Sequence, residues 1–180
     1  MRFAPLDPET APVAAKPLVA GSQKQFGFVP SPVAKLARSP QALKYLFAGF
    51  AAFEHSSLGP LEQEVLAMTV AFENECHYCM ALHSARVADE GLRAALRAGT
   101  PLPDAKLEAL RQFVRALLVG RGRVSTEVWA SFEGAGYGEE AALDALLGVG
   151  VYVLSTLGNV MTEAELDGPF VPFRWTKPAA

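Results

Sequence analysis

The sequence predicts an all-α fold arranged as a single domain. After residue 30, apolar residues recur at helical spacing, and no alternating run between turn signals indicates a strand. Capping residues and proline or glycine breaks divide this region into successive helical segments. With 180 residues, the chain has the usual size of one domain and is long enough to bury a core without disulfides or metals.

The first forty residues are predicted to form an arm and a short helix. Residues 1–30 contain five prolines and little periodicity, which predicts an extended N-terminal arm lying on the body. Pro32 is predicted to begin a helix that ends near Arg38. Ser39 has the properties of an N-cap, with Pro40 at the first position of the next helix. Apolar side chains on that helix form a face expected to be buried: Leu43, Leu46, Phe47, Phe50 and Phe53.

Capping residues delimit the remaining helices. Asn74 is predicted to cap a helix over 75–90 that ends at Gly91, and Asp104 and Ser125 are predicted to cap two more. Asn159, which follows Gly158, is interpreted as a cap at a helix end. The predicted helices cover residues 61–73, 75–90, 104–120, 125–132 and 139–156, with a short turn or helix over 92–98 and a tail over 157–180 rich in aromatic residues and prolines.

Composition and charge exclude several classes of partner. The formal net charge is −3 and the lysines and arginines are dispersed, so no basic patch for nucleic acid is expected. The N-terminus lacks the apolar stretch of a signal peptide. The longest apolar segment, 143–157, is shorter than a membrane span and carries Asp144. We therefore expect a cytoplasmic protein with no membrane partner. Hydrophobic residues make up 51% of the sequence, and this apolar surplus favours a homo-oligomer.

The two cysteines, Cys76 and Cys79, lie three positions apart. Such a pair closes too short a loop to stabilise a fold, and a structural disulfide is not expected in a reducing cytosol. The first turn of the predicted helix would stabilise a thiolate at Cys76, because its backbone N–H groups are free. His83 lies four residues after Cys79 on nearly the same helix face, so the imidazole is predicted to reach that sulfur.

This arrangement indicates redox chemistry. A thiol needs a lowered pKa or a nearby base to be a good nucleophile at neutral pH, and His83 is such a base. A peroxide would oxidise one sulfur to a sulfenic acid, which the other cysteine captures as a disulfide. Glu64 precedes Cys76 by twelve residues on the preceding helix, where it is a candidate to orient the histidine or pass a proton.

The set Glu64, Cys76-x-x-Cys79 and His83 resembles the signature of the carboxymuconolactone decarboxylase superfamily, in its alkyl hydroperoxide reductase D-like branch. The stretches FGFVPSPVAKLARSP and PFVPFRW resemble its peroxidase-related subgroup, so the similarity spans nearly the whole chain. In the characterised enzymes of the branch a histidine precedes the second cysteine, whereas Tyr78 stands there in this chain.

The resemblance implies an all-α helical bundle that assembles as a trimer or hexamer. It implies Cys79 as the attacking thiolate, Cys76 as its partner, and Glu64 with His83 as a proton relay, in which Tyr78 is a further hydrogen-bonding candidate. The implied function is a thiol-dependent peroxidase or disulfide oxidoreductase that acts on a hydroperoxide and is reset by a protein or small-thiol reductant. No cofactor is implied.

Other readings of the cysteine pair remain open. With His83 it offers three zinc ligands, but a second ligand pair is missing, and His55 is the only histidine outside the motif, so no metal is expected. The thiols can also be buried and unused, or sense redox state in a non-enzymatic oligomer. Lactone or decarboxylation chemistry is a third possibility by family analogy. His55 and His77 are expected to face solvent.

Overall fold

The structure, a computed structural model, describes residues 3–179, which form an all-α fold. Within this range there are nine α-helices and a final 3-10 helix, and no strand occurs, as predicted. The α-helices are α1 Lys16–Phe26, α2 Ser31–Leu36, α3 Pro40–Glu54, α4 Pro60–Glu73, α5 His77–Ser84, α6 Glu90–Ala98, α7 Ala105–Val119, α8 Thr126–Gly134 and α9 Glu139–Thr162; the 3-10 helix covers Gly168–Phe173.

Helix α9 is the centre of the bundle and packs against α2, α3, α4, α5 and α7. It approaches α3 and α4 closely at Gly148, where an added Cβ would lie 2.5 Å from the ring of Phe53 and 2.9 Å from Leu66. By length and composition α9 could cross a membrane, but 56% of its apolar window is buried inside the protein. That burial is typical of the core helix of a globular bundle.

The face of α9 turned away from the bundle carries exposed apolar side chains: Leu143, Leu146, Leu157, Val160 and Met161. These residues form two groups, one near each end of the helix, at spacings of three or four residues within each group. The homo-oligomer expected from the composition stays a prediction, as do the trimeric or hexameric state and the cytoplasmic location.

The N-terminal region differs from the extended arm predicted for residues 1–30. Residues 16–26 form α1, which carries Pro17 in its first turn, where a proline costs no hydrogen bond. Ala15 and Val19 are fully buried in a cluster with residues of α2, α3 and α9. The prediction was wrong here because it treated every proline as a break, and residues 1 and 2 lie outside the described part of the chain.

The single helix predicted over residues 75–90 is also wrong. Asn74 ends α4 rather than beginning a helix, and Glu75 adopts a left-handed conformation with φ of 53°. The N–H of Glu75 donates to the carbonyl of Phe72, and the N–H of Cys76 to that of Ala71, as in a Schellman motif. The chain therefore turns sharply at Glu75, and the shorter helix α5 begins immediately after Cys76.

The last helix is longer than predicted, reaching Thr162 instead of residue 156. Lys35, which is buried, donates from Nζ to the carbonyl oxygen of Thr162 at 2.8 Å and to that of Glu163. A cation that binds the last carbonyls stabilises a helix end. The extension places Asn159 inside α9, so its interpretation as a terminal cap is wrong.

Candidate active site

The Cys76 sulfur caps the N-terminus of α5. Its Sγ accepts a hydrogen bond from the backbone N–H of Cys79 at 3.4 Å, where a serine or threonine hydroxyl commonly sits. Hydrogen bonds from the Cys79 thiol and from this N–H outweigh burial and lower the pKa of Cys76. The predicted stabilisation of a Cys76 thiolate at a helix N-terminus thus has a geometric basis.

The Cys79 sulfur lies against α9. Asn159 donates from Nδ2 to Sγ of Cys79 at 3.2 Å, and the hydroxyl of Ser155 lies 3.6 Å from the same sulfur. The hydrogen bond that Cys79 gives to Cys76, together with burial and the negative charge on Cys76, raises the pKa of Cys79 well above its ordinary value. Both cysteines are free, and Cys76 is the one of the pair that ionises more readily.

Glu64 and His83 form a close pair beside the dithiol. Nδ1 of the imidazole lies 2.6 Å from Oε2 of the carboxylate, and Arg86 approaches the other carboxylate oxygen at 3.4 Å. Burial alone would raise the pKa of Glu64, but the hydrogen bond from His83 and the charges of His83 and Arg86 lower it overall. An ionised carboxylate only accepts hydrogen bonds, so Nδ1 carries the hydrogen and Nε2 is the ring nitrogen left free of this contact.

The predicted contact between His83 and Cys79 is not formed. Among the described residues, the imidazole makes no hydrogen bond to either sulfur, and its one hydrogen-bonding partner is Glu64. The side chain is buried and packs edge-on against the ring of Tyr152 at a centroid distance of 5.2 Å. Residues four apart share a helix face, yet His83 turns toward α4 while Cys79 turns toward α9. A proton passing between them needs a bridging water or substrate.

Asn159 and Ser155 are site residues that the sequence predictions missed. They lie 80 and 76 residues from Cys79 in the chain, so no local motif contains them. One sequence signal was present, because two polar residues at i,i+4 spacing interrupt the apolar face of a core helix. Asn159 is only 1% exposed, and its Oδ1 has no hydrogen-bond partner among the described residues.

The cysteines, His83 and Glu64 lie in a segment that matches a known family, whereas Ser155 and Asn159 lie outside it. The sequence model of the carboxymuconolactone decarboxylase family matches residues 40–114, which contain Glu64, both cysteines and His83. Residues 40–114 belong to the carboxymuconolactone decarboxylase family. The family predicted from the motif is therefore confirmed. No curated protein matches the chain in sequence.

Solved structures of the same fold cover nearly the whole chain. An alkylhydroperoxidase AhpD core, an uncharacterised peroxidase-related protein from Ralstonia eutropha JMP134, is 19% identical with a TM-score of 0.83, covering 98% of this chain and 97% of that one. An uncharacterised peroxidase-related protein from Silicibacter sp. TM1040 is 21% identical with a TM-score of 0.78, covering 97% and 95%. The predicted AhpD-like helical fold is confirmed.

A third solved structure of this fold is the debrominase Bmp8. A cysteine-to-alanine variant of Bmp8 in complex with 2,3,4-tribromopyrrole is 16% identical to this chain, with a TM-score of 0.72 and coverage of 96% and 95%. The apo form of Bmp8 has a TM-score of 0.73. These proteins share one fold, but two are named as peroxidase-related and one as a debrominase, so the fold by itself does not identify the substrate.

Tyr78 occupies the position where characterised members of the alkyl hydroperoxide reductase D-like branch carry a histidine. Its hydroxyl donates to Oδ2 of Asp167 at 2.6 Å, and Asp167 also accepts the backbone N–H of Ser31 at 3.1 Å. Burial and the Asp167 carboxylate raise the pKa of Tyr78. The hydroxyl makes no hydrogen bond to Cys76 or Cys79, so the structure gives Tyr78 a role in holding the C-terminal segment against α5 rather than in a relay.

Cys76, Cys79 and His83 are not arranged as a zinc site. Within residues 3–179, no group of three or more histidine, cysteine, aspartate or glutamate side chains is arranged to hold a metal ion. His83, the third potential ligand, is turned toward Glu64. His55 is exposed as expected, whereas His77 is half-buried. His77 lines a surface pocket beside the N-terminus of α5 with Glu75, Arg174, Trp175, Thr176 and Lys177.

Proposed function

We propose that this protein is a thiol-dependent peroxidase that cycles its cysteine pair between dithiol and disulfide. The observation that carries the proposal is the hydrogen-bonded pair Cys76 and Cys79, in which a helix N-terminus stabilises one sulfur as a thiolate. A thiolate is the nucleophilic form of cysteine, and the adjacent thiol can capture the sulfenic acid formed on it as a disulfide.

We assign the first attack to Cys76. Its thiolate attacks the terminal oxygen of a hydroperoxide, so that an S–O bond forms, the O–O bond breaks, and the departing alkoxide takes a proton to become an alcohol. Cys79 then loses its proton and attacks the sulfenic acid sulfur, which forms the disulfide and releases water. The order reverses the roles implied by the family resemblance, and the lowered pKa of Cys76 supports it.

Glu64 and His83 serve this cycle by managing protons. The carboxylate holds the imidazole through Nδ1, which leaves Nε2 to take up or release a proton through a water molecule or the substrate. An imidazole held in this orientation is placed to protonate an alkoxide leaving group. The pair thus acts on the leaving groups, not by a direct contact with sulfur.

The disulfide is returned to the dithiol by a reductant that carries thiols, either a small dithiol or a protein. A reductant thiolate attacks one sulfur, a mixed disulfide forms, and a second reductant thiol completes the reduction. The pocket lined by the half-buried His77 and the cationic Arg174 and Lys177 also contains Glu75, so it is formed by both chain neighbours of Cys76. We assign the approach of the reductant to this pocket.

A thiol titration with and without peroxide tests the proposal. We expect two reactive thiols per denatured chain before treatment, none after one equivalent of hydroperoxide, and a mass decrease of two hydrogens. Cys76→Ser and Cys79→Ser should each abolish disulfide formation. With an excess of dithiol, the parent protein should turn over peroxide continuously and the two variants should not. Thiols that survive peroxide in the parent, or stoichiometric zinc bound to unreactive thiols, would overturn the proposal.

Two further activity assays, on the parent and the two serine variants, separate the alternatives. Loss of bromide from 2,3,4-tribromopyrrole without peroxide turnover would assign the dithiol to dehalogenation, the chemistry named for Bmp8. Turnover of a carboxymuconolactone that persists in both serine variants would assign the site to lactone chemistry. Each result contradicts the peroxidase proposal in a different way.

A further inference from the structure

We infer that Asn159 is a further catalytic residue, whose side-chain amide stabilises the Cys79 sulfur when that sulfur carries negative charge during the dithiol–disulfide cycle. The inference rests on the proposed function. It starts from one contact, the 3.2 Å hydrogen bond from Nδ2 of Asn159 to Sγ of Cys79. Ser155, one helical turn earlier on α9, adds its hydroxyl at 3.6 Å from the same sulfur.

The position of Asn159 is unfavourable for a purely structural residue. It lies inside α9 and is 1% exposed, and an asparagine is a poor helix former. Its Oδ1 has no hydrogen-bond partner among the described residues, and an unsatisfied buried acceptor costs on the order of 1–3 kcal/mol. An apolar side chain of the same size would remove that cost, so packing alone does not explain the amide.

The amide can stabilise the negative charge that Cys79 acquires during both the oxidation and the reduction of the pair. When Cys79 attacks the sulfenic acid on Cys76, it first loses its proton, and Nδ2–H donates to the resulting thiolate. When a reductant thiolate attacks Cys76 in the disulfide, the S–S electron pair moves to Cys79, which leaves as a thiolate held by the same donor. Thiol–disulfide exchange is faster when the leaving thiolate is more stable.

The unpaired Oδ1 provides an acceptor in the same place. The reduced pair is otherwise surrounded by donors, because the Cys79 N–H points at Cys76 and the Asn159 amide points at Cys79. A hydroperoxide and a sulfenic acid each carry one O–H group, and both need an acceptor when they enter a buried site. Asn159 therefore offers Nδ2 as a donor to the Cys79 sulfur and Oδ1 as an acceptor for the O–H of the hydroperoxide or of the sulfenic acid.

The test uses Asn159→Leu and Asn159→Asp, which keep the side-chain size but remove the donor or replace it with a carboxylate. In a Cys76→Ser background, the pH profile of Cys79 alkylation should move to higher pH in both variants. In the two-cysteine protein oxidised with diamide, reduction by a small dithiol should slow roughly tenfold, the effect expected for one hydrogen bond to a charged group. Thermal unfolding checks that each variant is folded.

Asn74→Leu is the matched control. Asn74 also donates its side-chain amide to α9, at 2.9 Å from Thr156 Oγ1, but it does not contact either sulfur. It should leave the alkylation profile unchanged. The inference is overturned if folded Asn159→Leu or Asn159→Asp retains the parent profile and reduction rate. The diamide and alkylation experiments do not require peroxide turnover. If only the peroxidase proposal fails, the Asn159 variants will still change the alkylation profile and the reduction rate, while peroxide will not oxidise the parent protein.

Discussion

Nδ1 of His83 lies 2.6 Å from Oε2 of Glu64, which joins α5 to α4 beside the cysteine pair. This contact sets the tautomer of the imidazole and directs its free nitrogen away from the carboxylate. It also turns the imidazole toward α4, whereas the Cys79 sulfur lies against α9. The histidine and the cysteines therefore form two adjacent units with separate hydrogen-bond partners.

Glu64→Gln should slow peroxide-driven disulfide formation by at least about tenfold, because general acid–base groups contribute factors of this size or larger. The amide keeps the shape of the side chain but removes the carboxylate that holds the imidazole through Nδ1. Stopped-flow measurement of a single oxidation would record the rate. Glu73→Gln is the matched control, since Glu73 is a comparably buried carboxylate at the end of α4 that pairs with Arg115. Equal rates in the Glu64 variant and the parent would contradict the relay.

Cys76 should be the first cysteine labelled by an alkylating agent at neutral pH. Its pKa is lowered, so its thiolate persists as the pH falls below the ordinary thiol range, while the raised pKa of Cys79 keeps that thiol protonated as the pH rises. Fragmentation of the peptide after substoichiometric alkylation would locate the label. Preferential label on Cys79 would favour the assignment implied by the family resemblance over the one proposed here.

Tyr78→Phe should lower the free energy of unfolding by about 1.5–3 kcal/mol, the range for a hydrogen bond to a charged group. The variant leaves the Asp167 carboxylate without the phenol that donates to it at 2.6 Å. Urea unfolding measures the change. Peroxide-driven disulfide formation should remain near the parent rate, whereas a large loss of rate in the folded variant would restore Tyr78 to the relay predicted from its sequence position.

Replacing two glycines of α9 by alanine should have opposite effects on the stability of the protein. Gly148→Ala places a methyl group within 2.5 Å of Phe53 and should destabilise the protein by about 1–3 kcal/mol, as overpacking does. Gly150→Ala meets nothing within 4 Å and should stabilise the helix by about 0.5–1 kcal/mol. Thermal and urea unfolding of the two variants provide the comparison. A Gly148 variant as stable as the parent would show that α3 and α4 can move away from α9.

Local signals in the sequence predicted much of the helical architecture correctly. Ser39, Asp104 and Ser125 each accept a hydrogen bond from the backbone N–H three residues on, as their positions before apolar segments indicated. Capping depends on neighbours within one turn, so it can be read without knowledge of the fold. The predictions failed where a local signal was ambiguous, as with Pro17 in α1 and the left-handed Glu75 between α4 and α5.

The cysteine pair, His83 and Glu64 were evident from the sequence, because their spacing lies within two consecutive helices and matches a known motif. The partners of the sulfurs were decided by tertiary structure alone. Asn159 lies beside Cys79 because α9 crosses the bundle next to α5, a packing that no segment of twenty residues contains. The sequence thus determined which side chains are candidates for the chemistry, whereas the packing of α9 determined which donors surround the sulfurs, since contacts across 80 residues depend on how the whole chain closes around its core.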